Sequence, residues 1–274
     1  FRYVGGLVGY NFHATVENCY ATGNVSGSRE IGGLIGFNYY GTVRNCYATG
    51  NVFGERDQIG GLVGLNSGTV KNCYATGNVS GDYYIGGLVG ENIYGPVENC
   101  YATGTVSGDY YIGGLVGSND QGTVKNCYAT GKVSGGGLGG LVGCNYGGTV
   151  ENCYATGNVS GPREIGGLIG YDYIGTVENC FWDTQSSGTS MSAGGTGKNT
   201  RDMKLKKTFT DANWDFSTIW DIVEHTSYPY FQVHYFKPVI SSNIAHMNNA
   251  TEDEPYSLMI NSEVFSFPGC INST

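Results

Sequence analysis

Proline and charge are both scarce in this 274-residue chain: 6 prolines, and 14 % Asp, Glu, Lys and Arg together. Few prolines beside 47 regularly spaced glycines argue against a disordered Gly/Pro-rich chain. Glycine does not fall at every third position, which excludes collagen. No apolar run reaches the ~18 residues that span a bilayer as a helix. Lys and Arg number 14 against 23 acidic residues, a net charge of −9, and that balance favours neither nucleic acid nor an anionic membrane surface as partner. No Cys-x-x-Cys pair, zinc-type Cys/His spacing or His-Glu-x-x-His occurs, and His13, His225, His234 and His246 are scattered. An initiator methionine and a signal-peptide pattern are absent too. The chain opens at Phe1-Arg2-Tyr3-Val4, which aligns with Arg29-Glu30-Ile31 inside a later repeat, and so reads as a processed or excised piece of something longer.

What the chain has is repetition. Asn18-Cys19-Tyr20-Ala21-Thr22-Gly23 returns with its cysteine at Cys46, Cys73, Cys100, Cys127, Cys153 and Cys180, in steps of 27, 27, 27, 27, 26 and 27 residues. A second phrase, Gly-Gly-Leu-(Val/Ile)-Gly, keeps step through Leu7, Leu34, Leu62, Leu88, Leu115, Leu141 and Leu168. Apolar residues inside each unit recur at period two in short bursts separated by Gly and Asn, a strand pattern without any helical stripe. Length changes fall at the edges of the bursts, near Glu55-Arg56-Asp57-Gln58, Asn66-Ser67-Gly68 and Gly135-Gly136-Gly137. The expected fold is therefore an all-β parallel β-solenoid of about seven 27-residue coils, with about three short strands per coil. At ~4.8 Å per rung its rod would be roughly 30–35 Å long. Residues 1–181 form the solenoid on this reading, 182–237 a Trp-rich capping segment and 238–274 an extended tail, possible contact for another subunit.

Alternation back from Val25 places Ala21 and Cys19 on the core face, and Tyr20, Thr22 and Asn24 outside. Val16 is out of phase with Cys19, so a corner at Glu17-Asn18 must reset the phase, and Asn tolerates the left-handed backbone that a corner needs. The cysteines become a core ladder, and Tyr20, Tyr47, Tyr74, Tyr101, Tyr128, Tyr154 and Phe181 an outward aromatic ladder. The leucine phrase is ambiguous. If Ile35 shares the core with Ile31, then Leu34, Leu62, Leu88, Leu115, Leu141 and Leu168 form a flat outer packing face between glycines. If the chain kinks at Gly32-Gly33, they turn inward.

The phrase Gly-Gly-Leu-(Val/Ile)-Gly followed by Val-Glu-Asn-Cys-Tyr-Ala-Thr-Gly-Asn-Val-Ser-Gly closely resembles the GLUG repeat of secreted bacterial and archaeal proteins. Phe181-Trp182-Asp183-Thr184, Ser192-Ala193-Gly194-Gly195-Thr196-Gly197, Trp214-Asp215-Phe216, Trp220 and Ser227-Tyr228-Pro229-Tyr230 resemble the segment that often follows such repeats. The resemblance covers roughly residues 1 to 231. It implies a right-handed β-solenoid (a β-helix) in a large surface or exported protein, sometimes an adhesin, sometimes the repeat region of an IgA-cleaving peptidase. It carries no catalytic residues over to this chain.

Several strings imitate catalytic motifs. Gly188-Thr189-Ser190-Met191-Ser192-Ala193 looks like a subtilisin-type nucleophile segment but lacks the matching His and Asp motifs. Gly194-Gly195-Thr196-Gly197-Lys198-Asn199 departs from a P-loop at its first Gly and at the final Ser/Thr, and Gly135-x-Gly137-x-x-Gly140 interrupts a repeat strand. Glu17, Glu98, Glu151 and Glu178 share a column with Arg44, Lys71 and Lys125, which suits a solvated ladder of weak ion pairs. No cofactor, metal or catalytic residue is expected, and the chain is read as no enzyme. For the cysteine column, buried thiols packing as small hydrophobes are favoured over inter-rung disulfides and over a metal–thiolate ladder. Cys144 and Cys270 stand off the column and are a candidate disulfide. Asn24, Asn78, Asn158, Asn249 and Asn272 head N-x-Ser/Thr sequons. The expected function is an extracellular structural protein of a bacterial or archaeal surface whose subunits assemble with copies of themselves into a fibre, sheath or layer. The alternative is an adhesin-type stalk presenting repeat faces to glycan or protein.

Overall fold

The structure is a computed structural model that describes residues 2–162 and 165–232; the tail expected over 238–274 lies outside them. Six of the coils carry five short strands rather than three, and the seventh carries four. In the second coil they are Arg29–Gly32, Ile35–Tyr39, Thr42–Arg44, Tyr47–Ala48 and Val52–Gly54, named here the isoleucine, asparagine, charged, tyrosine and valine strands. Bends at Gly33-Leu34, Tyr40-Gly41, Asn45-Cys46 and Thr49-Gly50-Asn51 cut the apolar bursts finer than their spacing suggests. Stacked coil upon coil, these strands make parallel sheets of 7, 7, 7, 8 and 6 strands in that order. Like sits on like: Ile59 pairs with Ile31, Asn66 with Asn38, Val70 with Val43, Tyr74 with Tyr47 and Val52 with Val25. The fold is an all-β parallel β-solenoid of about seven coils.

The asparagine of the hexapeptide makes the corner that the phase change requires. Asn18, Asn45, Asn72, Asn99, Asn126, Asn152 and Asn179 all have φ between 51° and 55°. Left-handed backbone at this position lets Val43 before the corner and Cys46 after it point into one core.

The leucines turn inward, and the outer packing face is corrected accordingly. Leu34, Leu62, Leu88, Leu115, Leu141 and Leu168 are each 0 % exposed and lie in the main core with the Ile35, Val43, Cys46 and Ala48 columns. The cause is a tight bend. The N–H groups of both Leu34 and Ile35 donate to the Leu62 carbonyl, at 2.9 and 3.0 Å, so two adjacent side chains project to the same side. Gly32 permits the bend, because a Cβ there would overlap the Ile35 carbonyl oxygen. Ile31 does not share that core. With Val25, Val52 and Ile59 it belongs to a second apolar cluster between the valine and isoleucine sheets. Full burial of one such leucine contributes about 1.5–3 kcal/mol.

The C-terminal end of the stack is closed by chemistry suited to a sheet edge. Trp182 takes the place that Ala155 holds one coil earlier, and its ring lies over Gly167 at the end of the core. Ser192 then meets the exposed edge of the last coil: its Oγ accepts from the Leu168 and Ile169 N–H groups, at 3.3 and 2.9 Å, and donates to a nearby carbonyl. Thr196–Lys198 adds an eighth strand to the tyrosine sheet. An unpaired edge would invite further strands, and in the tyrosine sheet this segment occupies it.

Candidate functional site

The outward columns are where a partner could touch the rod. Along the tyrosine sheet the rings of Tyr20, Tyr47, Tyr74, Tyr101, Tyr128 and Tyr154 stack with centroids 4.9–5.1 Å apart and planes within 10° of one another. The column points away from the core throughout, yet solvent reaches only part of it. Tyr20 is 48 % exposed, whereas Tyr154 is 2 % and Phe181 6 % exposed, which corrects the expectation of an open ladder at that end. After the end cap the chain folds back over the ladder. Phe209 and Trp214 pack on Phe181, Trp214, Trp220 and Tyr228 on Tyr154, and Trp220 and Phe231 on Tyr128. Tyr154 Oη donates to the Pro229 carbonyl at 2.5 Å, and Tyr228 Oη donates to Asp183 Oδ2 at 2.7 Å. Burial pushes the Tyr101 phenol up to about 12, raises Tyr128 further, and raises Tyr154 well above the ordinary tyrosine range. So the face that looked most available is in large part a packing surface.

A second ladder escaped the sequence reading. Asn11, Asn38, Asn66, Asn92, Asn119 and Asn145 are buried, and each Nδ2 donates to the side-chain Oδ1 of the next coil at 2.7–2.9 Å. Each Nδ2 also donates to a backbone carbonyl across the following bend, Gly41 for Asn38 and Gly95 for Asn92. The column ends at Asp172, which accepts from Asn145 and has no amide to satisfy beyond it. The signal was present, an Asn at that position in six successive repeats, but Asn between bursts also reads as a turn residue.

The cysteine column is a third ladder, this one inside the core, and it does more than fill space. Cys46, Cys73, Cys100, Cys127, Cys153 and Cys180 are buried thiols. The N–H of Cys46 donates to Cys73 Sγ at 3.4 Å, and that of Cys153 to Cys180 Sγ at 3.3 Å. Each of these thiols donates in turn to the carbonyl two residues back, at 3.1–3.2 Å. Sulfur thus satisfies an N–H that the asparagine corner leaves without a ladder partner. Burial pushes the Cys73, Cys127, Cys153 and Cys180 thiols well up. At Cys100 desolvation works the same way, and hydrogen bonds with the Cys127 and Cys73 thiols oppose it. The column lies inside an apolar core, so the thiol form is the one kept. Cys19, at the foot of the column, is disulfide-bonded, which corrects the expectation of a thiol there. Cys144, buried on a different column, keeps its thiol, so the candidate Cys144–Cys270 bridge is not formed, a second correction; Cys270 itself lies outside the described residues.

The remaining outward columns carry charge or small polar groups. Glu17–Arg44, Lys71–Glu98 and Lys125–Glu151 pair across adjacent rungs at 2.7, 2.9 and 2.9 Å, and their exposure leaves each worth about 0–1 kcal/mol. On the valine sheet the outer columns of Thr22, Asn24 and Ser26 repeat up the stack as short uncharged side chains, with Phe53 and Lys132 as the exceptions. Asn24 and Asn51 each accept on Oδ1 from the next rung's backbone N–H, at 2.9 and 3.0 Å. A shallow groove of about 390 Å³ lies on this face. The sequon residues Asn24, Asn78 and Asn158 are exposed here; Asn158 Nδ2 donates to the Ser187 carbonyl at 3.2 Å, which attachment of a glycan would displace. Asn249 and Asn272 lie outside the described residues.

The motif-like strings have structural occupations. Ser192 closes the last coil, Gly195 takes φ +85° ahead of the added strand, and Gly135 and Gly137 sit at φ +133° and +62° in a shortened corner. Among the described residues no group of three or more His, Cys, Asp or Glu could hold a metal ion. No helix there is long and apolar enough to cross a membrane, which leaves strands unaddressed.

A family model described as the GLUG motif matches residues 2–26, 27–52, 57–80, 81–107, 108–134 and 134–160. A similar curated protein, from Evansella cellulosilytica, is named as a Gly-rich membrane protein and is 42 % identical over 76 residues. That stretch is 28 % of this chain and 9 % of the relative, so this chain matches a small part of a far longer protein.

Proposed function

The chain belongs to the GLUG-motif family, and from that premise we propose that it is a non-catalytic rod in a surface structural or adhesin-like protein of a bacterium or archaeon. The observation that supports this most is how the repeat is used. Its recurring Leu, Val, Ile, Cys and inner Asn columns are spent on packing and on hydrogen bonds between coils, which makes a stiff spacer. Variation falls at outward positions, at corners and in the Phe37, Leu65, Glu91, Ser118 and Cys144 column, while the packing columns stay constant, as expected of a scaffold that carries binding groups. Self-assembly into a fibre was motivated in part by an outer leucine face. With those leucines interior and the C-terminal edge of the tyrosine sheet occupied, the stalk reading is the stronger of the two. Light scattering and electron microscopy of the purified 274-residue chain separate them: single short rods support the stalk, and ordered polymers restore assembly.

A further inference from the structure

The geometry points to the outer face of the valine sheet as a binding site for a neutral polysaccharide chain. The groove there is lined by Asn24, Asn51 and Asn78 on one column and by Ser26, Phe53 and Ser80 on the next, over three consecutive rungs. Three features fix the chemistry of its occupant.

The first is a set of donors held in place. Asn24, Asn51 and Asn78 each bind a backbone N–H of the following rung through Oδ1, at 2.9, 3.0 and 2.9 Å. That contact locks the amide plane and directs each Nδ2 to solvent, one per rung. Donors fixed before binding lose little conformational entropy when a ligand arrives. Their spacing is that of neighbouring parallel strands, ~4.8 Å, close to the length of one pyranose unit in an extended chain.

The second is a single aromatic platform. Where the other rungs carry serine, the second carries Phe53, whose ring is 53 % exposed between Ser26 and Ser80. An exposed ring beside aligned amides and hydroxyls offers one apolar face and several polar contacts, which suits a sugar ring with its C–H face and its hydroxyl rim.

The third is the lack of charge. Up six rungs the two columns read Asn, Asn, Asn, Thr, Lys, Asn and Ser, Phe, Ser, Ser, Ser, Ser, so Lys132 is their one charged residue in a chain of net charge −9. An anionic polymer has little to hold it here. An extended peptide is disfavoured on separate grounds, because adjacent rungs use one another's strand edges throughout this sheet.

This goes beyond the rod reading and can fail without it. The test is retention of the full chain, made in an unglycosylated form, on chitin and on cellulose, with calorimetry against chitohexaose and cellohexaose. Phe53→Ala should weaken binding about tenfold and Asn51→Ala about fivefold. Glu98→Gln, on the charged sheet, should bind like the parent. Circular dichroism of all three should match the parent, since each position is at the surface. Absence of binding to all four probes, or equal binding by Phe53→Ala, overturns the site. A parent that remains a single rod in that case leaves the proposed function standing.

Discussion

Asparagine stacks both inside this rod, in the Asn38 column, and outside it, in the Asn24, Asn51 and Asn78 run, and the same side chain does opposite work in the two places. The inner amides, Asn38 to Asn145, spend both ends within the protein: Oδ1 accepts from one coil, and Nδ2 donates to the next coil and to a carbonyl at the bend. The outer amides, Asn24, Asn51 and Asn78, use only Oδ1 and turn Nδ2 to solvent. The inner column is buried in low dielectric, where an unmade hydrogen bond costs about 1–3 kcal/mol. The outer column can exchange a partner for water at little cost. Residue type and period are therefore no guide to role here. Which atoms remain unspent is the guide.

The largest effect is expected in the interior. Leu115→Ala removes a fully buried side chain from the inward bend and should destabilise the solenoid by about 3–5 kcal/mol. Chemical unfolding followed by far-ultraviolet circular dichroism measures this, and a loss below about 1 kcal/mol would return the leucines to the surface. Next, Asn119→Asp puts mid-column the residue that ends the ladder at Asp172. Its carboxylate still accepts from Asn92, but it faces Asn145 Oδ1 and the Gly122 carbonyl with no donor. A loss of about 3 kcal/mol is expected at pH 7. Burial raises this carboxyl in the folded state, so the variant is least harmed below about pH 4, where the unfolded chain also holds the proton, and loses stability as pH climbs above that.

The tyrosine ladder gives a pH dependence of the wild-type rod with the sign fixed by its covered end. Unfolded tyrosines ionise near the ordinary value of 10.0, while Tyr101 in the fold is held up to about 12. Its contribution is complete below about pH 10 and is lost as pH rises from 10 towards 12, because over that window the unfolded chain releases a proton that the fold retains. Absorbance at the phenolate band should show Tyr101 still protonated above pH 10, and its ionisation at the ordinary tyrosine value would argue against the covered ladder. A smaller effect, about 1 kcal/mol, is expected for Cys100→Ala, which removes the sulfur that accepts from the rung before it and donates to the Glu98 carbonyl. Unfolding midpoints read this directly.

Much of this was legible in the repeat, for physical reasons. The asparagine corner followed from Val16 and Cys19 being out of phase, since only a bend reconciles two inward side chains three residues apart. The leucine column could not be decided by alternation. Leu34 and Ile35 are adjacent, and whether adjacent side chains oppose or agree depends on a backbone turn that a period-two pattern cannot encode. The inner asparagines were hidden by their own chemistry, being common at turns and costly in a core unless, as here, each finds the next. Nor did the fold-back of residues 199–232 have a periodic signature. Its aromatic density marked it as apolar, but its destination on Tyr128, Tyr154 and Phe181 depended on those rings being the broadest apolar surface beside the capped end.

The contrast between the two amide columns is tested most directly by unfolding Asn92→Ala and Asn51→Ala side by side in guanidinium. The inner replacement removes a donor to Asn119 and to the Gly95 carbonyl together with the acceptor for Asn66, so about 3 kcal/mol should be lost. The outer replacement removes one solvent-facing bond to Asn78 N, so the change should stay below about 1 kcal/mol. Equal losses in the two variants would contradict the division between amides that hold the rod together and amides that it holds out.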